Sequence, residues 1–248
     1  MQTRNLPLIT TRYWVAILAA SVCGANTGDF LARKLHLGHA HGLLPLAALF
    51  ACILWAERRA QLETQAYYWL AIIAIRTAAT NLADLATHDL GLSYGLVEPG
   101  LTVLLIAILC LDSLQSRSTG ARDRLVGRQG SNLPKTNALY WAAMLTAGTL
   151  GTASGDYVAR ILGLGAGSIA LGIIYGVVLM AGTRFGGMSI PWYWASIVAA
   201  RTAGTTMGDF IARHQGLSSS TIFTGLVLAS IVLLWRDKPA AERGEVGT

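Results

Sequence analysis

The sequence is short of charge. Only 13% of its 248 residues are Asp, Glu, Lys or Arg, against about 25% in an ordinary soluble domain. That deficit, with 53% apolar residues, excludes a disordered chain. Cysteine is scarce too. Cys23, Cys52 and Cys110 all lie inside apolar stretches, without a Cys-x-x-Cys. They read as free thiols and exclude a small disulfide scaffold. The net charge of +6 is not gathered into a basic stripe interleaved with aromatics, so no nucleic-acid partner is expected. No small-residue cleavage site follows the polar stretch 1–11. The apolar run from Tyr13 onward therefore reads as a retained span and not a signal peptide.

Apolar stretches fall near 13–33, 38–56, 67–87, 90–111, 139–159, 162–182, 192–213 and 218–235. Each approaches the ~20 residues that a spanning helix needs. The expected fold is all-α: a polytopic membrane protein with eight transmembrane helices.

Internal repetition is the strongest signal. Tyr-Trp recurs at 13–14, 68–69, 140–141 and 193–194. Fifteen residues after each Trp stands an Asp: Asp29, Asp84, Asp156 and Asp209. Small residues sit one and five places before each Asp, for example Gly28 and Gly24. Four places after it comes Arg33, His88, Arg160 or Arg213. Arg-Thr-Ala at 76–78 and 201–203 occurs in copies two and four only. The chain thus reads as four parallel two-helix repeats in two four-helix halves, related by an axis along the membrane normal. The expected halves are 13–112 (repeats 13–59 and 67–112) and 139–235 (repeats 139–184 and 192–235). A cytoplasmic basic linker, 113–138, joins them, and a polar tail covers 236–248.

Thirteen Lys and Arg residues lie on the side of the termini and linker, and four (Arg33, Lys34, Arg160, Arg213) on the other. Positive charge favours the cytoplasm, which puts both termini there. The Tyr-Trp pairs are then expected at the cytoplasmic interface, where amphipathic aromatics prefer to lie. At 1.5 Å per residue, each Asp lies about 22 Å beyond its Trp.

Counting each Asp as zero, positions −8, −7, −4, −3, 0 and +4 share roughly one helix face. Polar faces in a bilayer turn inward or toward a wet cavity. The odd-numbered helices are therefore expected inside, and the more apolar even ones toward lipid. The candidate solute path comprises Asp84, Glu98, Arg76, Arg201, Asp29, Asp156, Asp209, His88, Asn26 and Asn81. Asp84 stands out because its i+4 partner is His88, which titrates near neutral pH and suits proton coupling. The other aspartates have Arg at i+4, and Asp29–Arg33, Asp156–Arg160 and Asp209–Arg213 read equally as structural ion pairs. His36, His39 and His41 form His-x-x-His-x-His, a spacing suited to Zn²⁺, Cu²⁺ or Ni²⁺.

The repeat architecture resembles the uncharacterised bacterial membrane-anchored protein family, catalogued as a repeat of unknown function. The resemblance rests on Trp14, Trp69, Trp141 and Trp194 with the Gly/Ala-Asp motifs. It covers roughly 13–235, and it implies the fold and a bacterial inner-membrane location.

The expected function is transport of a small solute or ion, with metal cations favoured and proton coupling allowed for. The alternative is a non-transporting scaffold, stress or assembly factor. An enzyme is not expected. The residue three before each Asp is Asn26, Asn81, Ala153 or Thr206, never the Gly of an intramembrane aspartyl protease, and no serine nucleophile motif appears. No cofactor is expected. The expected partners are the solute and the lipid bilayer, and an oligomer is compatible with the sequence.

Overall fold

Long runs of Ala, Leu and Ile make the described residues predominantly helical. In the computed structural model, which describes residues 7–60, 65–125, 136–184 and 189–234, eight α-helices follow one another. They are α1 (Thr11–Asp29), α2 (Gly38–Arg59), α3 (Ala66–Asp84), α4 (Tyr94–Leu125), α5 (Ala138–Leu162), α6 (Leu164–Arg184), α7 (Ile190–Gln215) and α8 (Leu217–Leu234). Their ends follow local chemistry. The Asn137 side chain accepts from the Tyr140 N–H at 2.7 Å and caps α5. Pro191 sits in the first turn of α7, where its missing N–H costs nothing.

Six helical stretches are long and apolar enough to cross a membrane; α5 and α7 are not among them. The two exceptions carry polar residues that the fold turns inward. One expectation about boundaries fails. Helix α4 continues to Leu125, so the first part of the segment read as a linker is helical. Residues 126–135 and the tail 236–248 lie outside the described residues.

The odd helices form a closed inner ring in the order α1, α3, α5, α7, each packed against two neighbours. Each even helix covers the inner helix of the next pair: α2 lies on α3, α4 on α5, α6 on α7, and α8 returns to α1. The even helices bury only 11–17% of their most apolar windows, against 67% for α1 and α3. Their Leu, Ile and Val side chains face outward, as a lipid-facing layer requires.

Association of apolar helices in lipid relies on close packing, since the tails are as apolar as the side chains. Here the small residues before each Asp supply it. A Cβ on Gly24 would overlap Arg76 of α3, one on Gly151 would overlap Arg201 of α7, and one on Gly204 would overlap Ser21 of α1. Ala79 closes the fourth contact against Gly148.

Candidate functional site

Every fourth residue of each inner helix turns to the ring axis. On α1 these are Tyr13, Ile17, Ser21, Ala25, Asp29 and Arg33. On α3 they are Tyr68, Ile72, Arg76, Thr80, Asp84 and His88. On α5 they are Tyr140, Met144, Gly148, Thr152, Asp156 and Arg160, and on α7 Tyr193, Ile197, Arg201, Thr205, Asp209 and Arg213. The axis is thus built in layers of four residues each.

The first layer is tyrosine. Hydroxyl to hydroxyl, Tyr13–Tyr68 is 2.9 Å, Tyr68–Tyr140 2.8 Å, Tyr140–Tyr193 2.9 Å and Tyr193–Tyr13 2.6 Å. The four hydroxyls close a ring in which each donates once and accepts once. Such circular networks reinforce themselves in a low dielectric. The tyrosines are at most 2% exposed. Each tryptophan packs on a neighbouring tyrosine: Trp14 on Tyr193, Trp69 on Tyr13, Trp141 on Tyr68 and Trp194 on Tyr140. The expectation of an interfacial aromatic belt is therefore corrected. A Tyr hydroxyl can leave water because two neighbouring hydroxyls replace it, so these pairs form a buried plug. Ile17, Ile72, Met144 and Ile197, all fully buried, make the next layer.

Arg76 and Arg201 share the layer above and are both fully buried. They diverge, as two like charges in low dielectric must. Arg201 reaches back toward the plug, donating to Ser21 at 3.4 Å and approaching the Met144 sulfur at 3.9 Å. Arg76 points the other way. Its Nη1 donates to Thr80 and Thr152, both at 2.7 Å, and its Nη2 to Thr205 at 2.6 Å. Its Nε has no partner among the described residues.

Above the threonines the axis opens into a cavity of about 470 Å³, within the ~300–1,000 Å³ range of small-molecule sites. Thr80, Thr152 and Thr205 line it, with Asp29, Asp84, Asp156 and Asp209 above them and Arg33, His88, Arg160 and Arg213 at the rim.

The four carboxylates are not equivalent. Asp29 pairs with Arg33 at 3.5 Å. Asp84 lies between His88 at 3.5 Å and His39 at 3.7 Å. Asp156 and Asp209 make no ion pair with any described residue, so the expected pairs with Arg160 and Arg213 do not form. Arg160 instead covers the Tyr94 ring, 4.9 Å from its centroid. The backbone differs in parallel. After Asp29 and Asp84 the helices close with π-helical turns, Phe30–Lys34 and Leu85–Asp89. After Asp156 and Asp209 they stay regular and stop at Gly163 and Gly216.

The structure thus gathers Asp29, Asp84, Asp156, Asp209 and His88 at the cavity, Arg76 directly beneath, and Arg201 behind it. It does not bring in Glu98, Asn26 or Asn81. Glu98 starts the outer helix α4 and does not line the cavity. Asn26 donates to Ser220 of α8 at 2.6 Å, and Asn81 abuts Gly42 of α2. Position −3 therefore faces the covering helix, and the axial stripe is narrower than the sequence implied. His36 and His41 are exposed. His39 instead meets Asp89 at 2.9 Å and Asp84. Among the described residues no group of three or more His, Cys, Asp or Glu side chains is arranged to hold a metal ion.

The four tyrosines, read as an interfacial belt, and the threonine collar around Arg76, placed on the polar face at position −4 but not among the candidate residues, are what the sequence reading undervalued. Their signal was present: a strict spacing of four, counted back from each Asp.

The profile of the family described as Repeat of Unknown Function (DUF347) matches residues 12–62, 67–118 and 192–238, more than half of the chain. The α5–α6 pair lies outside these matches yet fills the equivalent place in the ring. No curated protein and no solved structure matches the chain. The chain, with its signature Tyr-Trp pairs at the centre of a helical ring, belongs to the DUF347 repeat family.

Proposed function

We propose that the protein is a membrane transporter of a small polar solute, seen with its site open at the aspartate end and shut at the tyrosine end. One observation carries the reading: a charged axial cavity floored by threonines and buried arginines, and closed beyond them by an apolar layer and a buried hydroxyl plug. Ionisable groups inside a membrane are costly and are kept where they serve a path or a site. A helix bundle needing only rigidity has no use for an open cavity of this size. We place the protein in the bacterial cytoplasmic membrane with all eight helices spanning it. Arg12, Arg58, Arg59 and Arg184 at the tyrosine end favour the cytoplasm on that side. We assign the carboxylates no catalytic role. A metal cation is not favoured as the solute, because among the described residues no three His, Cys, Asp or Glu side chains come close enough to share one ion.

The scaffold reading draws on Asp29, paired with Arg33, and on Asp84, set between His39 and His88. One test separates the two. In a chain freed of Cys23, Cys52 and Cys110, Ala25→Cys should react with a membrane-impermeant thiol reagent from outside. Ile17→Cys, sealed between plug and arginines, should react slowly from the cytoplasmic side as the plug opens. If Ala25→Cys reacts while Ile17→Cys stays inert from both sides, the cavity is blind and the scaffold reading takes its place.

A further inference from the structure

Resting on the transporter reading, we infer that the solute is a zwitterion: a small molecule carrying an ammonium group and a carboxylate. It binds in the α5–α7 half of the cavity, with the ammonium at Asp156 and Asp209 and the carboxylate toward the Arg76–threonine floor.

The first observation is which acids are free. Asp29 is held by Arg33, and Asp84 by two histidines. Asp156 and Asp209 line the same cavity and have no cationic partner among the described residues. They come from neighbouring inner helices. Two such carboxylates draw a cation between them.

The second observation lies one layer beneath the acids. Arg76 is fully buried, no carboxylate among the described residues pairs with it, and its Nε is unpartnered. A buried charge without a counter-charge is expensive. Its guanidinium hydrogen bonds among the described residues go to three threonine hydroxyls, all facing the cavity. A hydroxyl that accepts from Arg76 can still donate its own proton. Thr80 and Thr205 spend theirs on backbone carbonyls. Thr152 has no such acceptor among the described residues, and so its O–H is free to meet an anionic group.

The two features are in register. Thr152 and Thr205 stand four residues before Asp156 and Asp209, about 6 Å along a helix at 1.5 Å per residue. The cavity therefore runs from negative to positive over the length of a small amino acid. An inorganic cation would neutralise the acids and take from Arg76 the negative field that they now supply. An anion would have to pass the carboxylates and would leave them facing each other. A zwitterion satisfies both ends and adds no net charge.

The probes are unbranched ω-amino acids from glycine to 6-aminohexanoate, with butylamine and butyrate as half-ligands, titrated into the full chain in detergent by calorimetry. At least one amino acid should bind about tenfold or more tighter than either half-ligand, a gap of ~1.4 kcal/mol. The double variant Asp156→Asn/Asp209→Asn should abolish that binding, while Asp29→Asn retains it. Thr152→Val should weaken the amino acid and leave butylamine unchanged. Butylamine binding as tightly as every amino acid would overturn the inference in favour of plain organic cations. So would silence of all the amino acids in a protein whose Ala25→Cys still reacts from outside and whose Ile17→Cys still reacts from the cytoplasmic side. That last result leaves the transporter reading standing without its zwitterion.

Discussion

A tyrosine hydroxyl with a partner on each side behaves differently from one at an interface. Removing the Tyr68 hydroxyl opens the ring and leaves one neighbour without a donor and the other without an acceptor. Tyr68→Phe should therefore cost about 1–3 kcal/mol, the range for a buried polar group left unsatisfied. Thermal unfolding in detergent reads this directly, and an unchanged melting temperature would show that the ring carries no stability. The glycines offer a sharper residue test, because the sign should change with place. A Cβ at Gly151 meets the Arg201 carbonyl carbon and the Thr202 nitrogen at 2.9 Å. Backbone atoms cannot swing aside, so α5 and α7 must separate, at a cost of about 1–3 kcal/mol for Gly151→Ala. Nothing lies within 4 Å of a Cβ at Gly176 in α6. There Gly176→Ala should gain about 0.4–1 kcal/mol by stiffening the unfolded chain. Equal effects at both sites would count against the close approach of α5 and α7.

At the scale of elements, the two halves use different stops. Gly163 (φ 78°, ψ 159°) and Gly216 (φ 81°, ψ 146°) occupy backbone space that is nearly closed to side chains. Gly163→Ala should destabilise by about 1–3 kcal/mol, measurable in the same melting assay, and no loss would mean that the turn relaxes freely. The π-helical turns of the first half shift the chain that follows Asp29 and Asp84. In that half both acids find a partner, and in the second half neither does. The sequence could not announce this. An i, i+4 spacing of Asp and Arg is the same in copies one, three and four, and only the rotation of the last turn decides whether the two meet. What periodicity could announce, it did: eight helices, all but α4 near their expected bounds, the polar helices inside, the acids at one level. It misjudged the tyrosines, because a Tyr-Trp pair beside a basic terminus looks like a membrane anchor until three more tyrosines are seen to converge on it. It misplaced Asn26 and Asn81 because a helix face read one residue too wide takes in the contact to the covering helix. Asp89, the nearer partner of His39, lies 50 residues away in sequence, beyond the reach of any local pattern.

For the whole molecule, stability and solute binding should separate along the axis. Changes near the plug act on the fold, and changes at Asp156 and Asp209 act on the cavity. Ring closure itself has a thermodynamic signature. Asn26 of α1 and Ser220 of α8 meet at 2.6 Å, and Arg12 donates to the Val232 carbonyl at 2.7 Å. Ser220→Ala should cost about 1–3 kcal/mol by stranding the Asn26 amide. Its effect should be seen in the global unfolding of all eight helices and not in a local fraying of α8. Early release of α8 alone, followed by proteolysis of its loop, would show that the ring tolerates a gap.

Each outer helix leans on the next inner one, and the last leans on the first. The order of the helices around the axis therefore has no natural beginning. The ends of α1 and α8 are side by side, joined through Arg12 and Val232, while the stretch between α4 and α5 merely bridges two sectors of the circle. A gene recut so that translation starts at α5, runs through α8, passes by a short polar tether into α1 and finishes at α4 should yield the same ring. The place where the backbone is broken is then a historical accident of the reading frame, and the fold is better drawn as a wheel than as a line.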